Sequence, residues 1–286
     1  MSDERSIIGN RRETKPIIIL EETDFYKEKV LNYKPPITTR SKTKPKKNTP
    51  VSDPITPGNE NFSLEDLADR YRISGVSYRN KICQVDIGKT LLPPGTQEEY
   101  AQRRIAALTS DNDLYAPSFP LLHAPIAALY QNKDGSFKDQ IEEARAFLAG
   151  LISNKWITTL TRIKYMPAGQ GQDIVIHNYG QSDSYEIQVN FIGPDGIITD
   201  TANTEKPLQA LLDTKQTLSE IDEVYRWFRN LNSYILRVNT KPGRIDERIA
   251  GFIAGSGRAD FYCDWYVGGS DSSLGVRAQK ILGDTQ

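Results

Sequence analysis

From Ser233 onward, apolar residues recur at every second position. Tyr234, Leu236 and Val238 alternate with Ile235, Arg237 and Asn239, as a half-buried strand requires. Ile249, Gly251 and Ile253 alternate with Ala250, Phe252 and Ala254, though Asp246 to Phe252 also admits a short helix. Phe261, Cys263 and Trp265 alternate with Tyr262, Asp264 and Tyr266, and Leu274, Val276 and Ala278 with Gly275, Arg277 and Gln279. Turn residues fill the gaps at Lys241 to Arg244, Gly255 to Gly257 and Gly268 to Ser272. Short loops favour neighbouring antiparallel strands. The pattern predicts an antiparallel sheet in the C-terminal half, with the aromatic 261–266 strand central.

Ahead of this sheet the period is helical. Phe62 to Gly75 places Leu64, Leu67, Ala68 and Tyr71 at helical spacing, with Ser63 as N-cap and Gly75 as the stop. A strand over residues 76–85 follows, and Leu91 to Gly95 breaks the chain. Thr96 and Glu99 form a capping box for a helix that buries Tyr100, Ile105, Ala106 and Leu108 and wets Arg103 and Arg104. Asp111 to Asp113 reads as a turn, because no glutamate stands at calcium-loop spacing from Asp111. Pro125 suits the first turn of a helix reaching about Asn132. Ser136 to Leu148 is a further helix, with Ile141, Ala144, Phe147 and Leu148 inward.

From Trp156 the period shortens to two. Trp156 to Met166 and Asp173 to Tyr179 form a hairpin around a Gly-containing loop, and Tyr185 to Phe191 is a further strand. Asn203 to Leu212 begins a helical region. Thr217 and Glu220 box the start of a long helix whose Leu218, Ile221, Val224, Tyr225 and Phe228 face the sheet. The fold class expected is therefore α+β, with helices packing the sheet. Residues 61–286 form one domain, helical over 61–150 and mainly β with one long helix over 151–286.

Residues 1–60 differ. Only Pro16 to Tyr33 carries apolar residues there, and Lys34 to Glu60 is rich in Pro, Thr and Lys without periodicity. This predicts a disordered N-terminal arm. Between Lys34 and Lys47 every charge is basic. Arg40, Lys42, Lys44, Lys46 and Lys47 thus form a candidate phosphate-binding run for nucleic acid, although no aromatics interleave it. A solvated linker is the plainer reading.

Composition narrows the classes further. The 286 residues carry a net charge of −1, so no global field recruits nucleic acid or an anionic membrane. Two cysteines, Cys83 and Cys263, argue for buried thiols rather than a disulfide scaffold. No apolar run approaches the roughly eighteen residues that span a bilayer. A cytoplasmic protein without membrane contact is expected, with a protein as its partner.

Candidate chemistry is sparse. No Ser/His/Asp set, CxxC pair, phosphate-binding loop or dinucleotide fingerprint is present, and two histidines supply a zinc site poorly. No cofactor is implied. His123 reads as a core histidine. His177, Asn178 and Tyr179 make the most polar cluster of an apolar region, and with Asp264 and Arg277 they are the candidate binding residues. The sequence thus points to a binding or interaction protein. The alternatives are an enzyme whose site is assembled from distant residues around His177, and nucleic-acid contact through the basic arm. Ser273 to Arg277, after a Gly/Ser turn, resembles the closing strand of C-type-lectin-like domains. Five residues assign no family.

Overall fold

The computed structural model describes residues 61–110, 112–255 and 258–280. The expected N-terminal arm and its basic run therefore lie outside the described residues, as does Asp111. In chain order the elements are β1 (Ser63–Asp66), β2 (Arg70–Tyr78), β3 (Lys81–Gly95), α1 (Gln97–Ala107), α2 (Phe119–Asn132), α3 (Lys138–Leu151), β4 (Trp156–Tyr165), β5 (Asp173–His177), β6 (Tyr185–Val189), β7 (Gly196–Ile197), α4 (Glu205–Leu212), α5 (Leu218–Arg229), β8 (Asn232–Leu236), β9 (Asp246–Gly255), β10 (Arg258–Tyr266) and β11 (Asp271–Lys280). The arrangement is α+β.

Its sheet is mixed rather than purely antiparallel. The main strand order is β1-β2-β3-β11-β4-β9-β10-β8-β7, with β5 and β6 branching from β4. All four closing segments are strands, and β9 and β10 pair antiparallel as the turn between them suggests. β8 instead runs parallel to β10. β11 leaves β10 altogether, pairs along β3 and meets β4 in parallel at Ser272 and Ile157. Local turn signals are blind to this, because β4 takes the place beside β9 that a simple meander would give to β8, and β8 takes the place beside β10 that it would give to β11. β4 earns that central place by composition: apart from its first residue and Lys164, it is buried throughout.

The stretch expected to be helical from Phe62 to Gly75 is the β1–β2 hairpin instead. Tyr71 and Ile73 are buried between half-buried Arg70, Arg72 and Ser74, which is period two. Gly75 does not stop a helix. With φ at 76° it sits where the β2–β3 register slips between Ile73 and Val76, as a bulge glycine does. The residues 61–95 are thus β structure, and the helices of the first half are α1 to α3.

Those helices follow their signals in part. Thr96 and Glu99 close the capping box on α1, and Thr217 and Glu220 close the one on α5. The α1 stripe is rotated from the one expected. Tyr100, Ala101, Arg104 and Ala107 face inward, Arg104 only 4% exposed, while Ile105 and Leu108 are 49% and 52% exposed. Arg104 tolerates burial because Asn178 and Asp183 accept from its guanidinium. Phe147 on α3 turns outward and meets Tyr71 edge-on at 5.8 Å. α2 starts earlier than expected, which leaves Pro125 in its interior, and it is buried on nearly all sides.

The core lies where α2 and α5 cover β9 and β10. Phe261 stands 5.9 Å from Phe119, 4.7 Å from Tyr225 and 5.7 Å from Phe252, ring centre to ring centre. Such aromatic contacts add stabilisation beyond the area they remove from water. Cys83 and Cys263 are buried free thiols.

Candidate functional site

Tyr78 pairs with Lys81, so Arg79 and Asn80 alone turn the β2–β3 hairpin. Both are left-handed, with φ of 51° and 59°. A two-residue turn of this hand matches strand twist, but asparagine and glycine fill it best. Arginine there costs about 1–2 kcal/mol. The surroundings hold it in place. Its guanidinium carbon lies 4.4 Å from the centre of the Tyr185 ring, and Nη1 donates to Asp183 at 3.4 Å.

Behind these groups a second layer fixes their positions. Asp183 also accepts from Asn178 Nδ2 at 2.8 Å and from Arg104 Nη2 at 3.3 Å. The Tyr185 hydroxyl donates to Asp213 at 2.8 Å. Asp213 caps the C-terminus of α4 in a left-handed conformation and turns the chain into Thr214, Lys215 and Gln216.

Between the Arg79–Asn80 tip, α2 and the segment after α4 lies a cleft of about 370 Å³. α2 contributes His123, Ala124, Ala127, Ala128 and Gln131 to its wall, and Asp213 to Gln216 form the opposite side. Small residues on α2 leave the space, and polar residues rim it.

His123 is buried on that wall. Its Nδ1 lies 3.2 Å from the Tyr225 hydroxyl and its Nε2 2.8 Å from Gln216 Oε1. Burial holds its pKa down at about 4, so the ring is neutral at pH 7. Burial also pushes the Tyr225 hydroxyl far above its ordinary range, so that group keeps its proton. All three groups are satisfied when Tyr225 donates to Nδ1 and Nε2–H donates to Gln216. The ring then has no lone pair left to accept a substrate proton.

The structure places the five candidate residues read from sequence in four separate surroundings. His177 is fully buried, with Nδ1 3.0 Å from Thr161 Oγ1 and Nε2 2.9 Å from the Ala210 carbonyl. Burial holds it too at about 4. It struts β5 against α4, behind the Tyr185 ring, whose centre is 5.0 Å away. Asn178 steadies Asp183, as above. Tyr179 stacks under Arg162 at 3.5 Å, beside the Glu98 and Glu247 carboxylates that also pair with that arginine. The Asp264 carbonyl accepts from Arg248 at 3.2 Å on β10. Arg277 donates to the Ala107 and Asp113 carbonyls, both at 3.0 Å, and braces β11 against the end of α1. None of the five lines the cleft. His177 and Asn178 stand behind it.

Sequence reasoning passed over Arg79, Asp183, Tyr185, Asp213, Lys215 and Gln216. Residues 76–85 look like one continuous strand, since Arg-Asn is a poor turn signal. Only the charge and amide pair at its middle marked the reversal. Among the described residues no group of three or more His, Cys, Asp or Glu is placed to hold a metal ion. No helix among them is long and apolar enough to cross a membrane.

No protein-family model and no curated protein matches the sequence. The chain is similar to a solved structure described as "Accommodation of massive sequence variation in Nanoarchaeota by the C-type lectin fold". The alignment covers 70% of this chain and 100% of the other, at 12% identity and a TM-score of 0.34. A likeness at that score carries no argument about fold or activity.

Proposed function

We propose that this is a binding protein without catalytic chemistry, and that its ligand enters the cleft between the β2–β3 tip, α2 and the segment after α4. One observation carries the reading. The titratable rings beside the cleft are saturated within the protein, His123 by Tyr225 and Gln216 and His177 by Thr161 and Ala210. The rim offers the opposite. Lys215, Asn80 and Gln131 line the cleft and make no side-chain hydrogen bond or ion pair among the described residues. Saturated groups hold a wall; open ones recognise a ligand.

A thermal-shift panel of small polar molecules tests this, run on the wild type and on Gln131→Trp. Gln131 is exposed at the cleft mouth, so an indole there narrows the space without disturbing the core. Ligands should raise the Tm of the wild type and leave that of Gln131→Trp unmoved. Equal shifts in both proteins place binding elsewhere and defeat the proposal. Turnover of any ligand that disappears in a folded His177→Asn protein would favour an enzyme.

A further inference from the structure

We infer that the cleft selects an anion, a carboxylate or phosphate group on a small molecule, through Arg79 and Lys215. This rests on the binding reading above and adds the class of ligand. The charges around the cleft do not balance. Arg79 and Arg104 both turn to Asp183, and Asp213 already accepts from Tyr185. Lys215 makes no ion pair or side-chain hydrogen bond among the described residues, so its three N–H donors are open.

Arg79 is only weakly committed. One of its five N–H donors has a partner among the described residues, the 3.4 Å contact to Asp183, and both members of that pair are more than a third exposed. A pair so long and wet is weak and exchanges readily for a ligand oxygen. The Tyr185 ring lies 4.4 Å from the guanidinium carbon and Asp183 engages only Nη1, so the remaining N–H donors are open to a carboxylate or phosphate. The left-handed backbone at Arg79 and Asn80 keeps this fork at the hairpin tip. His123, neutral in the wall, neither adds nor removes charge. Asp213 is the one carboxylate on the lining, and its engagement with Tyr185 lowers its claim on a cationic ligand.

Isothermal titration of the full chain decides the matter, with inorganic phosphate, citrate and glucose as probes. Phosphate or citrate should bind near one-to-one, and glucose should not. Which of the two binds more tightly identifies the recognised group. Lys215→Gln should weaken the anion about tenfold or more, the loss of one charge-assisted hydrogen bond. Arg79→Gly should weaken it similarly while its Tm does not fall, because glycine relieves the left-handed turn. Lys138→Gln, an exposed lysine at the start of α3, should leave binding unchanged. If glucose binds and is blocked by Gln131→Trp while the anions are not bound, the cleft is a binding site but the anion assignment is wrong. If anions bind equally to Lys215→Gln and Gln131→Trp, they bind outside the cleft, and the assignment is again wrong.

Discussion

A Cβ at Gly75 would come within 3.0 Å of the Asn61 carbonyl oxygen and of the Phe62 backbone, at a φ of 76°. Backbone cannot step aside as a side chain can. Gly75→Ala should therefore destabilise by about 1–3 kcal/mol, read from the urea midpoint. The two histidines make a second prediction. The unfolded chain takes up protons on them near 6.5, whereas the folded chain refuses them until about 4. Stability is thus full above pH 6.5 and falls as pH drops toward 4, on the order of 3 kcal/mol per histidine. Asp260 works the other way. Burial lifts its pKa to about 6, so its contribution is present at low pH and is lost as pH rises through 6. One carboxyl offsets part of what two imidazoles do. Urea midpoints at pH 7 and pH 4.5 should differ in favour of pH 7, and His123→Gln with His177→Gln should shrink the gap. The sequence read His123 as a core histidine and marked His177 as part of a polar cluster in an apolar region. It did not show that their partners would be Tyr225, Gln216, Thr161 and Ala210, which come from other elements.

The starts of α1 and α5 were the most legible features, because a capping box is written within four residues. Thr217→Ala should cost about 1 kcal/mol, visible as a lower Tm, since Thr217 accepts from the Glu220 N–H and Glu220 returns the bond. Strand identity was legible wherever both faces alternate, as in β4 and β10. The β1–β2 hairpin was hidden because Leu64, Leu67, Ala68 and Tyr71 fit a helix by spacing alone, although Leu67 and Ala68 fall in the turn and the alternation is that of Tyr71 and Ile73 beside β3. The α1 stripe was misjudged for a related reason. A buried arginine is legible only when Asn178 and Asp183 are known to meet it. A loop shows the same dependence. Arg237 is buried and donates to the carbonyls of Pro194, Ala202 and Asn203, and a Cβ at Gly193 would fall 2.3 Å from its Nη2. Gly193→Ala should displace that guanidinium and loosen residues 193–203, seen as faster amide hydrogen exchange there.

At the scale of the whole molecule, most strands from β4 onward were legible in the sequence, but their order was not. Order depends on which strands bury both faces, and that is settled by partners far along the chain. β11 is the clearest case. It pairs with β3 from Asp271 opposite Gly95 to Lys280 opposite Cys83, and Ser273 donates to the Thr158 carbonyl of β4. It thereby joins the first three strands to the remainder. Ser273→Val removes that bond and leaves a buried carbonyl unmet, and it should cost about 1–3 kcal/mol in the urea midpoint.

The crossing of β11 also sets a schedule for synthesis. β3 and β4 are long finished on the ribosome before the strand that unites them is made. Until then each must wait with an unpaired edge, an invitation to other chains. A nascent chain arrested before Asp271 should be captured by chaperones and be open to protease along β3, while one extended past Lys280 and clear of the exit tunnel should close and resist both.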